Sequence, residues 1–222
     1  MGVLVAGGTG ALGAAVVREL VGAGQAVVAT WIVPEERERL DALPVELVEA
    51  DLLDPAGAGR AVAAVDDLEA VVDLVGGFAS GPRVHETEPG EFARLITLNL
   101  TPAFMLARAA MPLMMERGGG AFVAVSARPA LRPFSGAAGY ITAKAAVLAF
   151  IQALDAEYRA DGIRCNAILP SVIDTSANRE AQPDADWSKW VPPEEIAKVV
   201  RFLASEDSKP TSGAAIPVYG RA

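Results

Sequence analysis

Histidine and cysteine each occur once in this 222-residue chain, as His85 and Cys165, and that scarcity removes several kinds of chemistry at the outset. A single thiol forms no intrachain disulfide, and a cluster of thiolates around a metal is excluded. A single imidazole rules out a multi-histidine metal site and any Ser-His-Asp centre away from position 85. His85 itself lies between Val84 and Glu86 in a polar stretch, the usual surroundings of a solvated loop residue. No metal is expected. Basic runs are missing as well: the 19 Lys and Arg residues are scattered along a chain of net charge −9, so neither nucleic acid nor an anionic membrane is an expected partner. No apolar run approaches the roughly 20 residues needed to span a bilayer, and the first strand follows no charged leader, which points to a cytoplasmic location.

What is present is hydrophobic. Such residues make up 52% of the chain and charged ones 21%, enough for a substantial core. Short apolar runs alternate with longer helical patterns. Strands are expected at Val3–Ala6, Ala26–Trp31, Val45–Glu49, Ala70–Val75, Ala121–Ser126, Ile163–Leu169 and Ala215–Val218. Helices are expected near Ala11–Gly22, Glu35–Ala42, Gly57–Val65, Glu91–Glu116, Tyr140–Arg159 and Pro193–Ala204. The strands carry Val, Ile, Leu and Ala on both faces, as a parallel sheet covered by helices requires. The expected fold is α/β: a doubly wound, Rossmann-type domain over 1–222 with a roughly seven-stranded parallel sheet and helices on both sides. The stretch 171–193 breaks the rhythm and reads as a substrate loop. Ala145–Ile151 is apolar around its whole circumference, so a second copy of the chain, in a homodimer or homotetramer, is expected to cover its outer side.

A glycine-rich turn, Gly7-Gly8-Thr9-Gly10-Ala11-Leu12-Gly13, follows the first strand and opens the first helix. Glycines there let backbone approach a pyrophosphate, and the helix N-terminus offers it unpaired N–H groups, so a dinucleotide is the expected ligand. Further on, Tyr140 and Lys144 stand four residues apart on one helical face. An unperturbed phenol titrates near ~10, and the Lys144 ammonium, together with the positive ring of an oxidised nicotinamide, is expected to stabilise the phenolate and lower that value, making Tyr140 a workable acid–base group.

These features together resemble the short-chain dehydrogenase/reductase family over nearly the whole chain. Gly7 and Gly13 match its glycine motif, with Ala11 at the middle glycine and Gly10 one place early. The Gly136-Ala137-Ala138-Gly139-Tyr140 segment stands where the family keeps its active-site tyrosine. The resemblance implies NAD or NADP as cofactor and hydride exchange with a small carbonyl or alcohol substrate. It implies that Asp51 and Leu52 meet the adenine, that Lys144 bonds the nicotinamide ribose, and that Asn99 holds a water leading from the lysine to solvent. It also implies cofactor contacts at Gly76 and Gly77 and at Pro170, Ser171, Val172 and Thr175. The family's Asn-Asn-Ala-Gly landmark is reduced to Asp73-Leu74-Val75-Gly76. Strand two closes on Thr30-Trp31-Ile32, so Trp31 flanks the ribose site without a carboxylate or arginine to choose between NAD and NADP. The family's substrate-positioning serine is replaced by Ala127; Ser126 is the available hydroxyl, but strand alternation turns it to the other face.

Four segments resemble the dihydropteridine-reductase branch more closely: the glycine turn, Gly76-Gly77-Phe78-Ala79, the stretch from Asn178 to Trp190, and Pro210-Thr211-Ser212-Gly213. Pterin reduction, with Trp187 and Trp190 stacking on the ring or merely pinning the loop, is therefore one alternative. A non-enzymatic NAD(P) sensor on the same scaffold is another.

Overall fold

The computed structural model describes residues 2–221. Seven strands form one parallel sheet in the order β3-β2-β1-β4-β5-β6-β7. They are β1 (Gly2–Ala6), β2 (Ala26–Trp31), β3 (Glu46–Glu49), β4 (Leu68–Asp73), β5 (Gly120–Val125), β6 (Ile163–Pro170) and β7 (Ala215–Val218). The main helices are α1 (Ala11–Gly22), α2 (Pro55–Ala63), α3 (Pro89–Arg117), α4 (Ala138–Tyr158), the short α5 (Ser176–Ala181) and α6 (Pro193–Ala204).

The central strands are apolar on both faces because both faces are covered. Leu4, Val71, Phe122 and Cys165 point into a core shared with α2, α3 and α4. Their strand neighbours Val3, Val72, Val123 and Ile168 point into a second core against α1 and α6. Chain order reverses at β1, which pairs with β2 on one side and β4 on the other. In open parallel sheets the crevice for a ligand lies at such a reversal, beyond the C-terminal strand ends.

One local expectation is corrected, and two segments gain detail. The segment expected as a helix at Glu35–Ala42 is a 3-10 turn over Pro34–Leu40 in which only Leu40 is buried, too little apolar surface to anchor a full helix. The stretch 171–193 is not structureless: it contains α5, capped by Thr175, and a 3-10 turn at Trp187–Lys189 capped by Asp186. Within one chain α4 is covered on its sheet side and partly open on the other, which leaves the expected second copy untouched. Val147, Leu148 and Ile151 are buried, whereas Ala149 is exposed and Phe150 half-buried beside Phe104.

Candidate active site

β1 and β4 end at Ala6 and Asp73, and the turns leaving them lie against one another, a Cβ on Gly7 standing 3.3 Å from the Val75 side chain. In the first turn Gly7 adopts φ +71°, a left-handed conformation that favours glycine. Its N–H donates to Thr30 Oγ1 at 2.9 Å, and the Gly8 N–H donates to the Thr30 carbonyl at 3.1 Å. Thr30, buried near the end of β2, thus fixes the loop from beneath. A Cβ on Gly13 would lie 2.1 Å from the Gly7 carbonyl oxygen, so α1 packs against the loop with no room for a side chain. Gly10 is less constrained, its hypothetical Cβ meeting only the Gly7 oxygen at 3.4 Å. The displaced middle glycine therefore carries little steric consequence. α1 starts without a side-chain cap, leaving its first-turn N–H groups for an anion, and the cradle fits a pyrophosphate.

The turn after β2 supplies charges that Thr30-Trp31-Ile32 lacks. Arg39 donates to the Thr9 carbonyl at 2.7 Å and pairs with Glu36 at 2.9 Å, while Arg37 lies 4.7 Å above the Trp31 ring. Nothing in the residues of strand two announces them; they arrive because the 3-10 turn folds back over the loop. After β3, Asp51 and Leu52 part company. Asp51 is exposed and accepts from the Leu53 N–H at 2.9 Å, whereas Leu52 is buried in the core beside α2. For Leu52 only the backbone is left to meet a coenzyme, which narrows the contact expected of it.

In the turn after β4, a Cβ on Gly76 would stand 2.5 Å from Asn99 Oδ1 and 2.9 Å from Lys144 Nζ, and one on Gly77 would stand 2.6 Å from Leu98. Bare backbone here lets α3 and α4 bring Asn99 and Lys144 together. Asn99 is buried: its amide donates to the Leu95 and Gly77 carbonyls at 2.9 and 3.0 Å, and its oxygen accepts from the Gly77 N–H at 3.2 Å. One N–H and the oxygen hold the turn at Gly77, while the other N–H bonds back to α3 itself.

Lys144 is 5% exposed and donates to the Val125 carbonyl at 2.9 Å. Burial pushes its ammonium down to about 8, opposed by the nearby charge of Asp73. Tyr140 stands one turn earlier on the same face, with the Phe78 ring edge-on to it, centroids 4.9 Å apart. Burial raises its phenol to about 12. Burial alone sets that direction in the protein by itself; the lowering expected of Lys144 together with a nicotinamide charge is a property of the coenzyme complex. Ser126 does not reach the cleft. It is 1% exposed and donates to the Lys144 carbonyl at 2.7 Å, tying β5 to α4. Ala127, also buried, adds no hydroxyl.

β6 closes on Pro170. Ser171 spends its hydroxyl on the Tyr219 carbonyl at 2.9 Å, the Val172 carbonyl accepts from Val191, and Thr175 accepts from the Asn178 N–H at 3.2 Å. Trp190 is buried, and Trp187 bonds the Gln182 carbonyl at 3.0 Å beneath the Arg179 guanidinium. Both indoles are engaged in pinning 171–193 rather than offering a flat stacking face. The Pro210–Gly213 segment lies at the opposite end of the sheet, where Ser212 and Thr211 bond Cys165 and Asn166. A cavity of about 890 Å³ also opens there, but its arginines 117, 159, 164 and 201 are each paired with acidic side chains. Phe78, Thr30 and Arg39 are the functional candidates that reading the residues alone missed; the Gly76-Gly77-Phe78 turn was the one available signal.

A family model described as enoyl-(acyl carrier protein) reductase matches residues 7–220. A 2-(R)-hydroxypropyl-CoM dehydrogenase of Xanthobacter autotrophicus is 30% identical over 78% of this chain and 76% of its own length. The 3-oxoacyl-[acyl-carrier-protein] reductase MabA of Mycobacterium tuberculosis is 29% identical over 98% of this chain and 91% of its own. A short-chain type dehydrogenase/reductase structure from Mycobacterium ulcerans superposes with a TM-score of 0.93 at 26% identity, covering 99% of this chain and 88% of that one. The chain thus belongs to the short-chain dehydrogenase/reductase family of oxidoreductases, whose coenzyme is NAD or NADP.

Proposed function

We propose that this chain reduces a small ketone or aldehyde, or oxidises the matching alcohol, at the cleft between the Gly7–Gly13 loop and the start of α4. The observation that carries the reading is the convergence of Tyr140, Lys144 and Asn99 on the glycine turn after β4, beside a cradle fitted to a dinucleotide. NAD(P)H, when bound, supplies the hydride. The backbone N–H groups of Thr9 and of the first turn of α1 (Ala11, Leu12, Gly13) would hold its pyrophosphate, on a loop braced by the Gly7 and Gly8 bonds to Thr30, and Lys144 would hold the ribose nearest the reacting carbon. Trp31 with Arg37 and Arg39 flank the adenosine end.

Tyr140 is protonated through the neutral range, which suits it to give a proton to the substrate oxygen as the carbon is reduced. Lys144 then draws the resulting phenolate toward neutrality by charge. Asn99 keeps the turn in register so that Lys144 can do so. With Ala127 in place of a serine, one donor to the developing oxyanion is missing, which on the order of 3 kcal/mol of barrier would reflect. The preferred substrates are therefore electron-poor carbonyls. The relatives bear the names of a 3-oxoacyl reductase and a hydroxypropyl dehydrogenase, both concerned with an oxo or secondary hydroxyl group. Neither is a pterin reductase, and the engaged tryptophans remove the physical case for pterin stacking.

We further place the chain in the cytoplasm, as one coenzyme-binding unit with 171–193 as its substrate cover. Among the described residues no helix is long and apolar enough to cross a membrane. The α3/α4 face, where Phe104 and Met115 remain exposed around a groove of about 330 Å³, suits a second copy of the chain. The deciding experiment assays purified protein with NADH and NADPH against a panel of ketones and quinonoid dihydropterin. Ketone turnover lost in Tyr140→Phe, with coenzyme binding retained, is the expected result. Tight coenzyme binding with no turnover of any substrate would instead indicate a sensor.

A further inference from the structure

We propose that Asp73 is a positioning residue for Lys144, its buried carboxylate favouring the charged ammonium through space, without a direct ion pair, while the Val125 carbonyl seats it; this rests on the catalytic reading of Tyr140 and Lys144. Asp73 ends β4 and is 3% exposed. Strand alternation puts it on the same face as Val71, the face against α3 and α4 from which Lys144 descends. In register it stands opposite Ala124, one residue before the carbonyl that Lys144 bonds, so both groups lie at the C-terminal end of the β4/β5 pair.

The local fold does not need the charge. Asp73 Oδ1 accepts from the Val75 N–H at 3.1 Å, an Asx-type bond that an asparagine makes equally well. Burying a carboxylate where an amide would serve is unfavourable unless an opposite charge is at hand. The opposite charge facing it is Lys144. Tyr140 from α4, Asn99 from α3 and Ser126 from β5 complete the seam, and of these only Tyr140 titrates, far to the alkaline side. Burial raises Asp73 to about 6 and lowers Lys144 to about 8, each resisted by the charge of the other. Between those values the pair is doubly ionised, and Lys144 is ready for the phenolate and the ribose at neutral pH.

The test is Asp73→Asn, which keeps the Asx bond and removes the charge. The chain has four lysines (144, 189, 198 and 209), so side-chain NMR of lysine-labelled protein resolves Lys144, assigned by its loss in Lys144→Arg. In Asp73→Asn the Lys144 midpoint should fall by about one pH unit or more. The alkaline limb of kcat should move down with it, while KM for the carbonyl substrate stays nearly constant. An unmoved midpoint, or a moved midpoint with an unmoved kcat limb, overturns the proposal. Should Asp73→Asn not fold, the unsubstituted protein decides. Its Lys144 signal should show a second inflection near pH 6 as Asp73 titrates, and a flat trace there overturns the coupling. Failure of the underlying catalytic reading looks different: Tyr140→Phe would then keep full turnover whatever Lys144 does in the spectrum.

Discussion

Phe78 stands edge-on to Tyr140, ring centroids 4.9 Å apart and planes at 83°, while remaining 58% exposed. An apolar side chain left in solvent against the phenol proposed as acid–base group is placed to meet substrate rather than to support the core. Phe78→Ala should therefore leave thermal stability within about 0.5 kcal/mol and raise KM about 3- to 10-fold, with a smaller change in kcat. Steady-state kinetics with the best ketone substrate checks this, and an unchanged KM would remove Phe78 from the substrate site.

Gly13→Ala is expected to damage the coenzyme cradle, because its Cβ would meet the Gly7 carbonyl oxygen at 2.1 Å and backbone cannot swing aside as a side chain can. The fold should lose about 1–3 kcal/mol by overpacking, and NAD(P)H affinity should drop with it. Gly10→Ala, where the contact is 3.4 Å, is the matched control and should behave almost normally. Coenzyme fluorescence titration alongside thermal melting separates the two variants.

Stability should have a trough between about pH 6 and pH 8. Asp73 is raised from 3.8 to about 6, so the folded protein grips its proton more tightly than the unfolded chain, and stability falls as pH rises through that interval. Lys144 is lowered from 10.5 to about 8, so the unfolded chain grips the proton more tightly there, and stability recovers as pH rises from about 8 toward 10.5. Each limb is on the order of 3 kcal/mol at 1.36 kcal/mol per pH unit. Denaturant melts across pH should show both limbs in the native protein, and Asp73→Asn should lose the acidic one.

Cys165 should be inert. It is fully buried in β6, in register with Phe122 of β5, and its thiol is pushed up to about 12. A thiol-reactive dye should label the folded protein negligibly and label it stoichiometrically in denaturant. Rapid labelling under native conditions would show that β5 and β6 separate on the time scale of the assay.

Phe104→Glu should dissociate the assembly. Phe104 lies on the outer face of α3, 46% exposed and 6.2 Å from the Phe150 ring of α4, where a carboxylate would be stranded between copies. Light scattering at micromolar concentration should report an oligomer for the native chain and a monomer for the variant; a native monomer would end the expectation.

The residues alone determined the α/β alternation, the glycine loop and the one-turn spacing of Tyr140 and Lys144, while the structure settled that Ser126 bonds the Lys144 carbonyl. The first three are set within one helical turn, one strand period or one tight turn, distances over which residue type and spacing dictate geometry. Even the short 3-10 run at Pro34–Leu40 had its polar composition on view, though not the consequence that too little of it is buried to sustain a helix. Only the tertiary structure decided that Thr30 would anchor Gly7, that Arg37 and Arg39 would fold back over Trp31 and Thr9, and that Phe78 would meet Tyr140. It alone set Asp73 into the seam of Lys144. Apart from Arg37 and Trp31, six positions apart, the partners in those contacts stand 23 to 62 positions apart, and their meeting depends on which strands lie side by side and in what register. That is fixed by the joint packing of two cores, not by any single stretch of chain.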